Sequence, residues 1–148
     1  MTDTFTLRDY HPDDYNWLFA LRNMSYRDVV VRQFGEWDET DQRQIYLDNW
    51  APQFIKIVMV DTQPIGMVST ETMDECIFLN EIQILPSWQS QGVGTSFIQQ
   101  LQNMAKADGR YVKLQVLFEN SRAKQLYERL GFAVIDKTQT HWVMCDSG

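Results

Sequence analysis

Cysteine is scarce in this chain of 148 residues: Cys76 and Cys145 are its only two, with no CxxC pair and no Cys/His cluster at metal-ligand spacing. That excludes a disulfide framework, gives no metal site to expect, and points to a reducing compartment. Cations are also in short supply. Thirteen Lys and Arg against twenty Asp and Glu leave a formal charge of −7, which disfavours nucleic acid as a partner, because binding phosphates takes clustered Lys and Arg. A cationic substrate is compatible with that charge without being implied by it. No apolar run reaches the roughly 18 residues of a membrane span, and MTDTFTLRDY has neither a basic n-region nor an apolar h-region. The expectation is a cytoplasmic protein without a membrane partner.

What is present suits one compact domain over residues 1–148. Apolar residues make up 44% of the chain, and five Trp, six Tyr and eight Phe fall on both halves. No window joins low hydrophobicity to a charge run, so no long disordered arm is expected.

The patterning predicts β-α-α-β-β-β-α-β-α-β-β. Phe5 to Arg8 is a short strand, and His11-Pro12-Asp13-Asp14 punctuates the chain, the Asp pair capping a helix that runs to about Arg27. A second helix is predicted from about Asp38 to Asn49. Phe54 to Val60, a turn at Asp61-Thr62-Gln63-Pro64, Ile65 to Thr72 and Cys76 to Leu85 form an antiparallel meander. Val93, Phe97, Leu101 and Met104 mark a helix ended by Asp108-Gly109. Val112 to Phe118 has strand spacing, and Ala123, Leu126, Tyr127 and Leu130 form a helix face ended by Gly131. Phe132 to Asp136 and Thr140 to Cys145 close the sheet.

Between the third strand of the meander and the third helix stands Gln89-Ser90-Gln91-Gly92-Val93-Gly94-Thr95. A strand that turns through glycines into a helix offers unpaired N–H groups at the positive end of the helix dipole, which is a physical anion site. Without Cβ atoms, Gly92 and Gly94 let the backbone approach phosphate oxygens. The spacing fits neither GxxxxGK[ST] nor GxGxxG, since Phe97 stands where the third glycine would fall and no Lys follows. From these residues alone, an anion site and an ordinary turn both remain open.

The wider context is more specific. Residues 80–95, NEIQILPSWQSQGVGT, resemble the acyl-CoA-binding signature of the GNAT superfamily of N-acetyltransferases, whose core Q/R-x-x-G-x-G/A is met by Gln89, Gly92 and Gly94. A second block, NSRAKQLYERLGF from Asn120 to Phe132, resembles the family's N-x-x-A-x-x-L-Y-E-x-x-G-F. Ser90, where many members carry Gly, and Gln91, where Lys or Arg is common, depart from the pattern and remove a positive side chain from beside the pyrophosphate. The resemblance implies a GNAT fold: a mixed, mostly antiparallel α/β sheet of about seven strands flanked by four helices. It also implies acetyl transfer from acetyl-CoA, as co-substrate, to a primary amine of a small molecule or peptide by direct attack in a ternary complex. The pyrophosphate is expected over the backbone N–H groups of Gln91, Gly92, Val93, Gly94 and Thr95, with Gln89 and Ser90 also among the cofactor-binding residues. The pantetheine is expected to pair along Ile82, Gln83 and Ile84, where the strands of Ile84 and Val116 splay apart.

An alkyl amine has a pKa of about 10.4, so a base is useful at neutral pH. Glu81 is the candidate, a carboxylate among apolar strand neighbours just before the backbone expected to meet the thioester; a solvent-facing or Lys-paired Glu is the plainer alternative. By resemblance Tyr127 is the acid that protonates the departing thiolate, although an aromatic on that helix stripe also suits a core. Asn120 would hold CoA through its amide, or cap the helix beginning near Ser121, or both. His141 is a weaker candidate base, and His11 is a turn residue.

For the acceptor, Glu36, Trp37 and Asp38, with Glu39, can form an aromatic and anionic mouth for an ammonium group, or an ordinary helix start in which Asp38 caps. The stretch resembles a GWDE-type segment of bacterial members with unassigned substrates. An acyl-CoA-binding module that senses or regulates without turnover is the alternative to an enzyme, and the presence of Glu81 and Tyr127 favours the enzyme. A homodimer is compatible with the sequence, which selects no oligomeric state.

Overall fold

The computed structural model describes residues 4–146. Among them the chain forms β1 (Thr6–Asp9), α1 (Tyr15–Phe34), α2 (Glu39–Asp48), β2 (Ile55–Val60), β3 (Gln63–Thr72), β4 (Cys76–Ile84), α3 (Val93–Ala107), β5 (Tyr111–Leu117), α4 (Ser121–Arg129), β6 (Ala133–Lys137) and β7 (His141–Cys145). The seven strands form one sheet in the order β1-β2-β3-β4-β5-β7-β6. Neighbours run antiparallel except β4 and β5, which are parallel and joined through α3. The element order read from the patterning is the one observed, and no helix among the described residues is long and apolar enough to cross a membrane.

Helices cover both faces of the sheet. On one, Val93, Phe97, Ile98, Leu101 and Ala105 of α3 pack with Tyr127 of α4 against Val58, Val68, Leu79 and Leu114. On the other, Leu18 and Leu21 of α1 pack against Ile55, Ile57 and Met67. Alternate strand residues feed the two cores, Ile57 one and Val58 the other, as a period of two demands.

Three local departures have physical causes. First, α1 does not stop near Arg27 but continues through the β-branched run Val29-Val30-Val31 to Phe34. Helix propensity there is low, yet Val29 and Val30 are buried, and packing outweighs the few tenths of a kcal/mol that propensity withholds. Gly35, at φ 87°, ends it by donating its N–H to the Val31 carbonyl at 2.9 Å. Second, Asp14 makes no side-chain cap to α1; its carboxylate accepts two bonds from the Arg8 guanidinium, at 2.9 and 3.0 Å, and the His11 N–H at 2.9 Å. Third, the β2–β3 hairpin turns on Asp61-Thr62 alone, with Asp61 at φ 53°, and Gln63 and Pro64 already belong to β3. Pro64 sits beside a register shift, where a missing N–H costs the ladder least.

One bulge shapes everything that follows. Ser69 pairs with Glu81 but Thr70 pairs with Leu79, so Asn80 is an extra residue in β4. Before it, Ile77 and Leu79 point into the α3–α4 core; after it, Ile82 and Ile84 do. The phase of the strand has flipped, turning Glu81 and Gln83 to the α1 side. The same bulge ends the β4–β5 pairing, whose last partners are Leu79 and Leu114. Beyond them the two strands diverge.

Candidate active site

A cavity of about 410 Å³ opens where β4 and β5 part. Its floor includes Leu79, Glu81, Ile82, Leu114 and Val116; α4 contributes Ala123 and Tyr127, α1 contributes Arg22, Tyr26, Val30 and Phe34, and α2 contributes Gln42 and Ile45. Asn120 before α4, Thr140 before β7 and His141 at the first position of β7 also border it. A shallow surface depression beside Tyr10 and Lys56 contains neither Glu81 nor Tyr127.

Glu81 is half-buried, and two donors meet the same carboxylate oxygen: Tyr26 Oη–H and Gln83 Nε2–H, each 2.8 Å from Oε2. Among the described residues both hydrogen bonds to this carboxylate fall on Oε2. Loss of solvent raises the Glu81 pKa above the ordinary carboxylate value, while Tyr26, Gln83 and the charge of Arg22 pull against that shift. A carboxylate so placed titrates closer to neutrality than a surface Glu and is oriented by a rigid pair of donors. Tyr127 is buried, with 8% of its surface exposed, and burial together with the Glu81 charge pushes its phenol up to about 12. It therefore keeps its proton across the neutral range and can give it only to a strong base. Glu81 and Tyr127, from a strand and a helix on opposite sheet faces, border the same space.

The stretch 89–95 forms a turn into α3. Ser90 is at φ 66° and Gly92 at φ 83°, conformations that cost a non-glycine residue about 1 kcal/mol, and Gly92 is the N-cap of α3 without a side-chain hydrogen bond to its free N–H groups. Val93, 1% exposed, anchors the first turn in the core. A Cβ on Gly94 would meet only Ile82 Cδ1, at 3.8 Å, so the ground before these N–H groups is open. Gln89 Nε2 holds the Ile84 carbonyl at 3.0 Å and Gln91 Nε2 the Ser87 carbonyl at 3.1 Å, so both amides brace the turn itself. Beyond Leu79 the edge of Ile82, Gln83 and Ile84 facing β5 has no strand partner among the described residues. An uncapped helix start, an open approach and an unpaired strand edge fit an extended ligand with an anionic group.

Asn120 accepts the Ala123 N–H at 3.4 Å, a weak cap for α4, and borders the cavity as well. His141 is half-buried with Nδ1 at 2.6 Å from Thr140 Oγ1, and burial lowers its pKa, so near pH 7 it is neutral. The residues 36–38 stand apart from the cavity lining. Asp38 caps α2 through Asp41 N–H at 2.9 Å, Trp37 Nε1–H is spent on Glu39 at 3.0 Å with Arg27 over its ring, and Glu36 is exposed. The outer wall is made by Phe34, Gln42 and Ile45 instead.

Residues that sequence reasoning missed lie on α1 and α4. Arg22, Tyr26, Val30 and Phe34 recur every fourth position and all line the cavity; the signal was a helical row mixing charge, phenol and apolar groups. Gln33 clamps the rim, donating to the Thr140 carbonyl at 2.8 Å and accepting the Glu119 N–H at 3.1 Å. Arg122, at the start of α4, reaches across to Ser90 Oγ at 3.0 Å and so brings a guanidinium to the turn where Gln91 supplies none. Nothing in spacing links positions 90 and 122.

The family model described as "Acetyltransferase (GNAT) family" matches residues 15–132. An uncharacterized N-acetyltransferase of Methanocaldococcus jannaschii is 27% identical over 148 aligned positions, covering 87% of this chain; the chain spans 61% of that relative's length. The fold is shared with the PaiA N-acetyltransferase of Thermoplasma acidophilum, solved in complex with coenzyme A, at a TM-score of 0.77 and 15% identity over 96% of this chain and 98% of that one. Naa50 of Arabidopsis thaliana, solved with the bisubstrate analogue CoA-Ac-MVNAL, superimposes with a TM-score of 0.66 at 14% identity, covering 97% of this chain and 99% of that one.

Proposed function

The chain belongs to the acetyltransferase (GNAT) family, and from that premise we propose that it transfers the acetyl group of acetyl-CoA to a primary amine, with Glu81 as base and Tyr127 as acid. The observation that carries this reading is that both side chains border one cavity at the point where β4 and β5 separate. The backbone N–H groups at the start of α3 hold the pyrophosphate, helped by Arg122, and the free edge of Ile82 to Ile84 holds the pantetheine. Bound there, acetyl-CoA supplies an activated acyl group.

Proton accounting assigns the two side chains. The acceptor arrives as R–NH3⁺; Glu81 removes one proton and passes it to solvent, leaving a nucleophilic lone pair. The new C–N bond forms as the C–S bond breaks, and Tyr127 donates its phenolic proton to the sulfur. The second proton lost by the amine restores the phenol, so the products are the N-acetyl amine, CoA–SH and one H⁺. A phenol held at about 12 is a poor acid toward water but an adequate one toward a desolvated thiolate a hydrogen bond away.

The test has a binding arm and a turnover arm. Acetyl-CoA should raise the melting temperature of the parent, and Gly92→Glu, which sets a carboxylate against the pyrophosphate, should remove most of that rise. Tyr127→Phe should lower kcat by about 10²-fold or more while leaving the acetyl-CoA shift in place. No shift in the parent would refute the reading, and unchanged turnover in Tyr127→Phe would take that residue out of the mechanism.

A further inference from the structure

Among the residues lining the cavity, Glu81 is the one carboxylate and Arg22 the one permanent cation. The guanidinium is held in place: its Nη1–H donates to Gln42 Oε1 at 3.1 Å, Gln42 is itself only 7% exposed, and Arg22 Cζ lies 5.6 Å from the centre of the Tyr26 ring. Neither contact is an ion pair. Among the described residues Arg8 and Arg110 have carboxylate partners, whereas no carboxylate lies within ion-pair distance of Arg22. In a chain with a net charge of −7 acids are abundant, and a half-buried guanidinium left without one is costly unless something supplies the anion. Arg22 and Tyr26 are one helical turn apart on α1, a rise of about 6 Å, and Tyr26 touches Glu81. The cation therefore stands a short tether from the base.

We infer that the acceptor is a primary amine carrying an anionic group a few bonds from its nitrogen, the amine going to Glu81 and the anion to the Arg22 fork. This rests on the reading of Glu81 as base and names the substrate class of the same site. The complementarity is that of a zwitterion: one fixed negative and one fixed positive charge in a single cavity. A guanidinium offers two parallel N–H donors that match a carboxylate or a phosphonate, and the exposed apolar rim of Phe34 and Ile45, 52% and 43% exposed, suits an apolar side chain on such an acceptor. A polyamine would instead bring its second ammonium toward Arg22.

The experiment compares matched acceptors by release of free CoA thiol. Leucine and phenylalanine are set against isopentylamine and phenethylamine, 3-aminopropylphosphonate against propylamine, with spermidine and a dipeptide amide as further arms. The anionic member of a pair should have the higher kcat/KM by about tenfold or more, the scale of one charge-assisted hydrogen bond. Arg22→Gln should collapse that ratio to near one, and Arg22→Lys should restore part of it. The ratio is the readout, so a general loss of activity cannot imitate the result. Should Arg22→Gln fail to fold, competition by N-acetyl-leucine against N-acetyl-leucinamide on the parent gives the same comparison. Equal or better turnover of the uncharged amines, spermidine or the dipeptide amide would overturn the inference while leaving acetyl transfer standing, as would a ratio that survives in Arg22→Gln. Absence of both the acetyl-CoA shift and any thiol release would remove the acetyltransferase reading and this inference with it.

Discussion

The two faces of the sheet are held by different forces. Under α3 and α4 lies a continuous apolar core from Val58 to Met144, and the α3 stripe Val93, Phe97, Ile98, Leu101, Ala105 is buried along its whole length. Over the other face, α1 buries Leu18, Phe19, Leu21, Val29 and Val30, which fall on no single stripe, and α2 buries only Gln42. Aromatic edges and polar ties fasten that side: Tyr15 against Trp50 at 4.8 Å, Phe19 against Tyr46 at 4.9 Å, Arg22 to Gln42, Gln33 to both rim loops. Under the proposed function, the cofactor side is thus a matter of apolar packing and backbone, the acceptor side of side chains from separated segments. A backbone cradle suits a ligand shared by many enzymes; a wall of individual side chains is where specificity can change without disturbing the core.

Substitutions can break or sharpen that contrast. Glu81 stands on the seam, and Glu81→Gln should have the largest effect, a loss of about 10²–10⁴ in kcat/KM at neutral pH, with acetyl-CoA binding retained. Its acid limb should vanish: the raised pKa means that the base is lost as pH falls through a value above the usual carboxylate range, and an amide has no such step. A pH–rate profile unaltered by the substitution would assign the base elsewhere, His141 being the next group on the cavity.

On the cofactor side Arg122→Ala should weaken acetyl-CoA by about tenfold, the lower end for a charge-assisted hydrogen bond at an exposed site, without touching acceptor preference. Calorimetry reads it directly, and an unchanged Kd would leave the pyrophosphate to the backbone alone. The smallest effect belongs to the acceptor side. Tyr26→Phe removes one of two donors from ionised Glu81, so the carboxyl should titrate higher still and the acid limb should move up with it, at unchanged acetyl-CoA affinity. A fixed limb would reduce Tyr26 to packing.

Legibility in the sequence followed the same division. The start of α3 at Val93 and the α4 face through Tyr127 stand where periodicity and the two motif blocks put them, because local spacing and burial agree there. The end of α1 escapes a local reading because Val29-Val30-Val31 argues against a helix, and the burial of Val29 and Val30 in the folded chain favours one. Trp37 and Asp38 drew attention as an aromatic, acidic cluster, yet their hydrogen bonds are spent on Glu39 and on the start of α2. Arg22 and Tyr26 drew none, since on a helix an Arg and a Tyr four apart look like any solvated row.

The sequence by itself determined the order of the elements, the family and the glycine turn, since these depend on periodicity, turn chemistry and short contiguous motifs. Only the tertiary structure decided which side chains meet. The extra residue at Asn80 inverts the phase of β4, carries Glu81 to the α1 face and opens the strands that frame the cavity. Arg22, Tyr26, Glu81 and Tyr127, spread over more than half the chain, share one cavity because strand register and helix packing bring them there, and that juxtaposition is a property of three-dimensional contact to which no local pattern corresponds.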